Sequence, residues 1–245
     1  MGNKIFNRFI ATVLAFVMTI GCFGDMSVFA YESADIPEGQ YEIYPQPQKI
    51  EYAGSNWELG KNANVVIEEG IDDYTLDRLE ETLSLKNIGM TKSDKIADNG
   101  FNILVGIHGS DGLVDQYVKN NCNIETTNLF TKTDSYYLAT LENTIVVLGK
   151  DTDAAFYAIT TLYHVLAQMV DTTNISVFEI EDWADVVSRG FIEGYYGNPW
   201  SLEDRIKLME WGGYYKLNSY FYAPKDDPKH NSKWKQLYTQ DELNT

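Results

Sequence analysis

The stretch from Val186 to Pro228, VVSRGFIEGYYGNPWSLEDRIKLMEWGGYYKLNSYFYAPKDDP, gathers the residues best suited to chemistry. Gly194 stands where an apolar, strand-like run breaks, and a glycine lets backbone approach a ligand closely. Lys225 follows a second apolar run, and its ammonium carries three donors for hydroxyl groups. Tyr195, Tyr196, Trp200 and Tyr222 lie around the two. Such rings, apolar on the face and polar at the edge, suit the apolar face of a sugar. The same residues also fit a tight turn (GYYG) and a solvated loop with a local ion pair (PKDDP). Spacing by itself leaves both readings open.

Those side chains need elements to hold them. Val186 to Gly194 reads as a strand. Ser201 is a good helix cap, and Glu203 and Asp204 in the first turn favour the helix dipole. Leu202, Ile206, Leu208 and Met209 supply an apolar face, and Gly212-Gly213 is expected to end the helix after about Trp211. Leu217 to Tyr222 reads as a second strand, stopped by Pro224. Strand, helix and strand within about 40 residues fit a βαβ crossover, with the two strands parallel and adjacent. That is how a (β/α)₈ barrel begins, and such barrels carry their sites where strands end. Gly194 and Lys225 would then sit on neighbouring loops and face one ligand. Val186, Val187, Phe191, Ile192, Tyr220 and Phe221 are expected to point toward the barrel interior.

Upstream, the chain reads as an α/β domain. Strands are expected at Val65–Ile67, Phe101–Ile107, Tyr136–Leu141, Thr144–Leu148 and Ile175–Ile180, the third and fourth forming a hairpin around Glu142-Asn143. Tyr41–Ile50 is extended around Pro45 and Pro47. Leu76, Leu79 and Leu83 mark a helix over Tyr74–Leu85. A second helix, capped by Asp151 or Thr152 and running to about Val170, is apolar over most of its surface and so should be buried. About five strands and two or three helices result. His164 inside that helix reads as a core residue, because no Cys, Asp or second His lies at ligand spacing. Cys122, among asparagines, reads as an unreactive loop thiol. No metal or other cofactor is expected.

Met1 to Ala30 has a short basic start (Lys4, Arg8), an apolar run from Phe9 to Phe23, and small residues at Val28 and Ala30, which is the pattern of a secretory signal peptide. Gly21-Cys22 would suit a lipoprotein, but Thr19 stands where such motifs carry Leu. Cleavage would leave Cys122 as the one cysteine, so no intrachain disulfide is expected. It would also leave 17 basic and 35 acidic side chains, a net charge of −18 against −17 for the whole sequence. A surface so acidic argues against nucleic acid and anionic lipid as partners. The expected division is 1–30 as signal peptide, 31–185 as the α/β domain and 186–245 as the start of a barrel. The expected location is extracellular or at the cell surface, without a membrane span after cleavage.

Arg189 to Ser201 (RGFIEGYYGNPWS) followed by Lys216 to His230 (KLNSYFYAPKDDPKH) resembles glycoside hydrolase family 84, the family of bacterial hyaluronidase-named toxins and O-GlcNAcases. Tyr44 to Tyr52 and Gly149 to Leu162 resemble the α/β domain that precedes the barrel in families 84 and 20. The resemblance implies an α/β fold, with a hexosaminidase-type N-terminal domain followed by the first two βα units of a truncated (β/α)₈ barrel. It implies removal of β-linked N-acetylglucosamine from glycoproteins or glycosaminoglycans, with retention, through an oxazoline formed by the substrate's own acetamido group. That substrate-assisted route is an exception to the two-carboxylate scheme. It implies that Gly194 contacts the bound sugar through its backbone and that Lys225 binds near the 3-hydroxyl. The family's catalytic aspartate pair follows barrel strand four. Asp226-Asp227 follow strand two and are not that pair. About 60 residues of a barrel that needs about 250 are present. No catalytic residue is therefore expected in this chain, and alone it should not hydrolyse glycosides. The alternative reading is a secreted non-catalytic module for carbohydrate or protein interaction.

Overall fold

The computed structural model describes residues 39–243 apart from 123, 125, 171, 195–199, 224 and 226. The expected signal segment, Tyr195, Tyr196 and Asp226 therefore lie outside the described residues.

Seven strands form one mixed sheet: β1 (Lys49–Glu58), β2 (Asn62–Ile67), β3 (Gly89–Ser93), β4 (Phe101–Ile107), β5 (Thr133–Leu141), β6 (Thr144–Gly149) and β7 (Asn174–Ala184). Their order is β1-β7-β5-β6-β4-β2-β3. The β3, β2, β4 and β6 neighbours run parallel, while the β6–β5, β5–β7 and β7–β1 pairs are antiparallel. Helices α1 (Asp73–Ser84) and α3 (Thr152–Gln168) cover one face, and α2 (Leu113–Asn121) covers the other.

Strand alternation sorts the core into two halves. Val65, Ile103, Val105, Leu138, Ile145 and Val147 pack with Leu79, Leu83, Leu162 and Val165 of α1 and α3. Val66, Leu104, Tyr137, Val146 and Leu148 pack with Val114 and Val118 of α2. Central strands buried on both faces read as continuous apolar runs, which is why FNILVGI and TIVVLG were legible as strands.

The expected helices at Tyr74–Leu85 and from Asp151 hold. Asp72 caps α1 by accepting from Thr75 N, and Asp151 caps α3 by accepting from Ala154 N. The expectation of about five strands is corrected to seven. The two additions, β1 and β3, are the edges of the sheet. β1 is mostly exposed, and GMTKS of β3 has no buried residue, so neither carries an apolar pattern. Helix α2 also escaped the sequence reading. Gly112 gives it no side-chain cap. Glu68 supplies one instead from the end of β2, taking Val114 N at 2.6 Å and Asp115 N at 3.3 Å on one oxygen, and Ile107 N and Ser110 Oγ on the other. A carboxylate at a helix N-terminus meets both orphan N–H groups and a favourable dipole.

The segment after β7 forms β8 (Gly190–Glu193), α4 (Leu202–Tyr214) and β9 (Ser219–Tyr222). β8 and β9 are parallel neighbours, with Gly190 opposite Ser219 and Glu193 opposite Tyr222. The crossover reading therefore holds. Ser201 and Asp204 make a reciprocal capping box at the start of α4.

The expected stop of that helix at Gly212-Gly213 is a correction. α4 passes through both glycines to Tyr214. Gly212 is buried, and a Cβ there would meet Phe191 at 3.2 Å, so close packing on β8 explains it. The helix instead ends with Lys216 in the left-handed region (φ 58°). Leu217 N donates to Gly212 O, and Lys216 N to Gly213 O. This is a Schellman cap whose left-handed position holds a lysine rather than the usual glycine.

Lys216 is 6% exposed because its side chain leaves the β8–α4–β9 segment and enters the seven-stranded sheet region. Its Nζ donates to Asp182 Oδ2 at 2.9 Å and to Tyr136 Oη at 2.8 Å. Burial pushes the Lys216 pKa down, against the pull of Asp182, and the same burial pushes the Tyr136 hydroxyl well up. Arg189 adds a bond to Asp134 Oδ2 at 2.7 Å, and the Arg78 guanidinium lies 4.2 Å from the Tyr214 ring centre.

Candidate functional site

Gly194 directly follows β8, and Lys225 stands three residues beyond the end of β9, both exposed at the same end of the parallel pair. The two sequence-predicted residues are thus brought to neighbouring strand ends. A Cβ added to Gly194 would meet no described atom nearer than Ile192 Cγ2 at 3.7 Å, and its φ is not in the left-handed region. Among the described residues, neither crowding nor backbone conformation requires a glycine here.

Side chains alternate across the two strands. Phe191 and Glu193 face α4, as shown by the Phe191–Trp211 ring contact and the Glu193–Arg205 pair. Tyr220 and Tyr222 share that side, through Tyr220 Oη on Glu193 and the Arg205 guanidinium 5.0 Å from the Tyr222 ring centre. Phe191 and Tyr220 were expected to point into the barrel and are corrected here: a helix-facing position follows from the two-residue period. Ile192, 76% exposed, and Phe221, 57% exposed, face the other way, on the side where Gly194 lies open.

Trp200 and Tyr222, half exposed, border a cleft of about 700 Å³ whose other walls include Arg205, Asp227, Lys229 and Tyr238. Gly194 and Lys225 do not line it. Asp227 has a structural task. It caps a short 3₁₀ turn by accepting from Lys229 N at 2.8 Å, and it takes the hydroxyls of Tyr222 at 3.0 Å and Tyr238 at 2.8 Å. Desolvation alone would raise its pKa, but these bonds hold it below the usual carboxylate value. A carboxylate so engaged is a brace rather than a free acid or base.

Elsewhere, His164 accepts a bond from Tyr44 N on Nδ1 at 3.2 Å, and burial pushes its pKa down. It is a satisfied histidine, as expected. Cys122 is half-buried, and burial pushes its thiol pKa up, away from nucleophilic behaviour. Among the described residues no three His, Cys, Asp or Glu side chains cluster as a metal site. The residue the sequence reading missed is Glu193. Its strand alternation with Ile192 was visible, but the partner that makes it notable, Arg205, lies on the next helix.

Residues 40–183 match the family model described as glycosyl hydrolase family 20, domain 2, and residues 189–245 match the model described as beta-N-acetylglucosaminidase. Through residues 40–183 the chain belongs to the family 20 domain 2 family. Beside that domain, the chain is family 84-like. The solved structure of CpGH84D is 46% identical, with a TM-score of 0.80, over 84% of this chain. CpGH84B is 28% identical, with a TM-score of 0.69, over the same share. The chain spans 34% of each of those two. Rat protein O-GlcNAcase is 45% identical over 53 residues, which are 22% of this chain and 6% of that protein. The exo beta-N-acetylglucosaminidase of Vibrio harveyi shares the fold, at 18% identity and a TM-score of 0.53. The expected α/β, hexosaminidase-type fold class and the family 84 resemblance both stand.

Proposed function

We propose that this chain supplies one wall of the sugar site of a secreted, retaining β-N-acetylglucosaminidase. Gly194 contributes its backbone, and Lys225 its ammonium, to a terminal N-acetylglucosamine. The substrate's 2-acetamido oxygen attacks the anomeric carbon, the glycosidic bond breaks, and the leaving oxygen takes a proton from an acid outside this chain. Water then opens the oxazoline with retention. The observation that carries this reading is the parallel β8–β9 pair. It puts the open glycine and the lysine at one strand end, within residues 189–245 that match the beta-N-acetylglucosaminidase model.

Turnover of an aryl N-acetylglucosaminide by the longest gene product containing this chain tests it. Lys225→Ala should lower kcat/KM about tenfold or more, the worth of one hydrogen bond from a charged group. A plain glucoside should not be cleaved, and good glucoside turnover would refute the acetamido nucleophile. Residues 1–245 alone are expected to show no turnover. Export is part of the same reading. N-terminal sequencing of the culture supernatant should begin at Tyr31, and protein kept in the cytoplasm with Met1 intact would remove it.

A further inference from the structure

Glu193 ends β8 with a carboxylate that solvent does not reach. The residue is 2% exposed, whereas Ile192 before it is 76% exposed. A buried carboxylate is costly unless it is paired and fully hydrogen-bonded. Arg205 of α4 meets it with two parallel bonds, Nε to Oε2 and Nη2 to Oε1, each 2.7 Å. The Tyr220 hydroxyl of β9 donates to Oε2 as well. The main chain repeats the connection, with Ala223 N donating to the Glu193 carbonyl at 2.9 Å. One residue therefore ties the end of β8 to the helix and to the end of β9.

Alternation gives this tie a direction. Because Glu193 points toward α4, Gly194 turns to the opposite side, next to Ile192. We propose that Glu193 and Arg205 are positioning residues. Their pair fixes the orientation of the peptide joining residues 193 and 194 and the spacing of the two strand ends, and so sets where Gly194 presents its backbone to N-acetylglucosamine. This rests on the reading of Gly194 as a sugar contact. The fork of an arginine is required, since a lysine acts as a point charge and cannot make two parallel bonds to one carboxylate.

The test uses the ¹⁵N-labelled chain with Glu193→Gln and Arg205→Lys. The control is Glu203→Gln, which removes an exposed ion pair with Lys207 on the same helix. Arg205→Lys keeps charge and stem, so one variant retains the fold. Without sugar, both variants should speed exchange of the Ala223 amide about tenfold or more and displace the Gly194 resonance. Exchange at Ile103 should not change, and the control should match the parent chain. With N-acetylglucosamine, the parent Gly194 resonance should move, glucose should not move it, and both variants should need several-fold more sugar for the same response. An unchanged Ala223 exchange rate and Gly194 resonance would overturn the tie. Faster exchange with unaltered sugar response would reduce it to a structural brace and overturn positioning. A parent chain that ignores N-acetylglucosamine would sink the sugar reading of Gly194 itself, while the exchange rates would still judge the tie.

Discussion

The central sheet and the two-stranded segment after it are built from similar residues, yet they stand differently toward water. FNILVGI of β4 is buried over its first six residues, between helices on both faces. Among the described residues, GFIE of β8 has helix on one side only, and its Ile192, with Phe221 of β9, is open. Apolar content makes a strand plausible, whereas partners on both faces make it stable. The first region holds itself together. The second is held by what it reaches, namely Lys216 into the Asp182–Tyr136 pocket and Arg189 onto Asp134.

Substitution of apolar side chains should show the widest gap. Leu162→Ala opens the core between α3 and the sheet and should cost about 2–5 kcal/mol. Phe221→Ala removes a larger but exposed ring and should stay within about 0.5 kcal/mol. Urea denaturation of both variants measures this. Equal losses would mean that the open face of β9 is covered in solution.

How far the sequence disclosed this arrangement follows from the same contrast. Strands with two buried faces announced themselves as apolar runs. Edge strands β1 and β3 did not, because β1 is mostly exposed and β3 has no buried residue. The caps of α3 and α4 were legible, since Asp151 and Ser201 lie beside the helices they start; Asp72, which caps α1, was not read although it lies as close. The cap of α2 was not, because Glu68 comes from another strand. Gly194 and Lys225 were singled out through motif and strand ends. Glu193 was missed because its meaning lies in Arg205 and Tyr220, and a carboxylate in a strand gives no sign of burial. Gly212-Gly213 misled because glycine serves tight packing as well as helix ends.

The link between the regions can be cut directly. Lys216→Met keeps the stem and leaves Asp182 buried without its cation. Losing one partner of a buried pair costs about 3 kcal/mol or more. The lower figure applies, because Asp182 keeps bonds from Gln48 N, Trp183 N and Tyr136 Oη. Hydrogen exchange should quicken across 190–222 and hold across 101–107. Uniform quickening would show that the two regions unfold as one.

Alkali should act more gradually. Burial raises the pKa of Tyr136 and Tyr137 in the fold above the value of about 10 held in the unfolded chain. The unfolded state therefore loses protons first. Stability is complete below pH 10 and falls above it, by about 1.4 kcal/mol per pH unit for each tyrosine that stays protonated. Tyr214, Tyr220 and Tyr222, pushed up to about 12, add to the fall with the same sign. Lys216 opposes it: its lowered pKa means that the fold releases a proton before the unfolded chain does, so its contribution rises toward pH 10.5. Urea midpoints from pH 8 to 12 should fall above pH 10, and Tyr137→Phe should flatten the slope. A midpoint that rises throughout would reverse the assignment.

The lysine at the end of α4 also bears on the order of synthesis. A left-handed backbone at a lysine is disfavoured in a free chain, and here the side chain's destination is a pocket made by β5 and β7. A ribosome delivers those strands before residue 216 emerges, and domains generally fold as units from the N-terminus. The finished sheet is thus a template already waiting in the nascent chain, and the turn that brings β9 beside β8 closes against it.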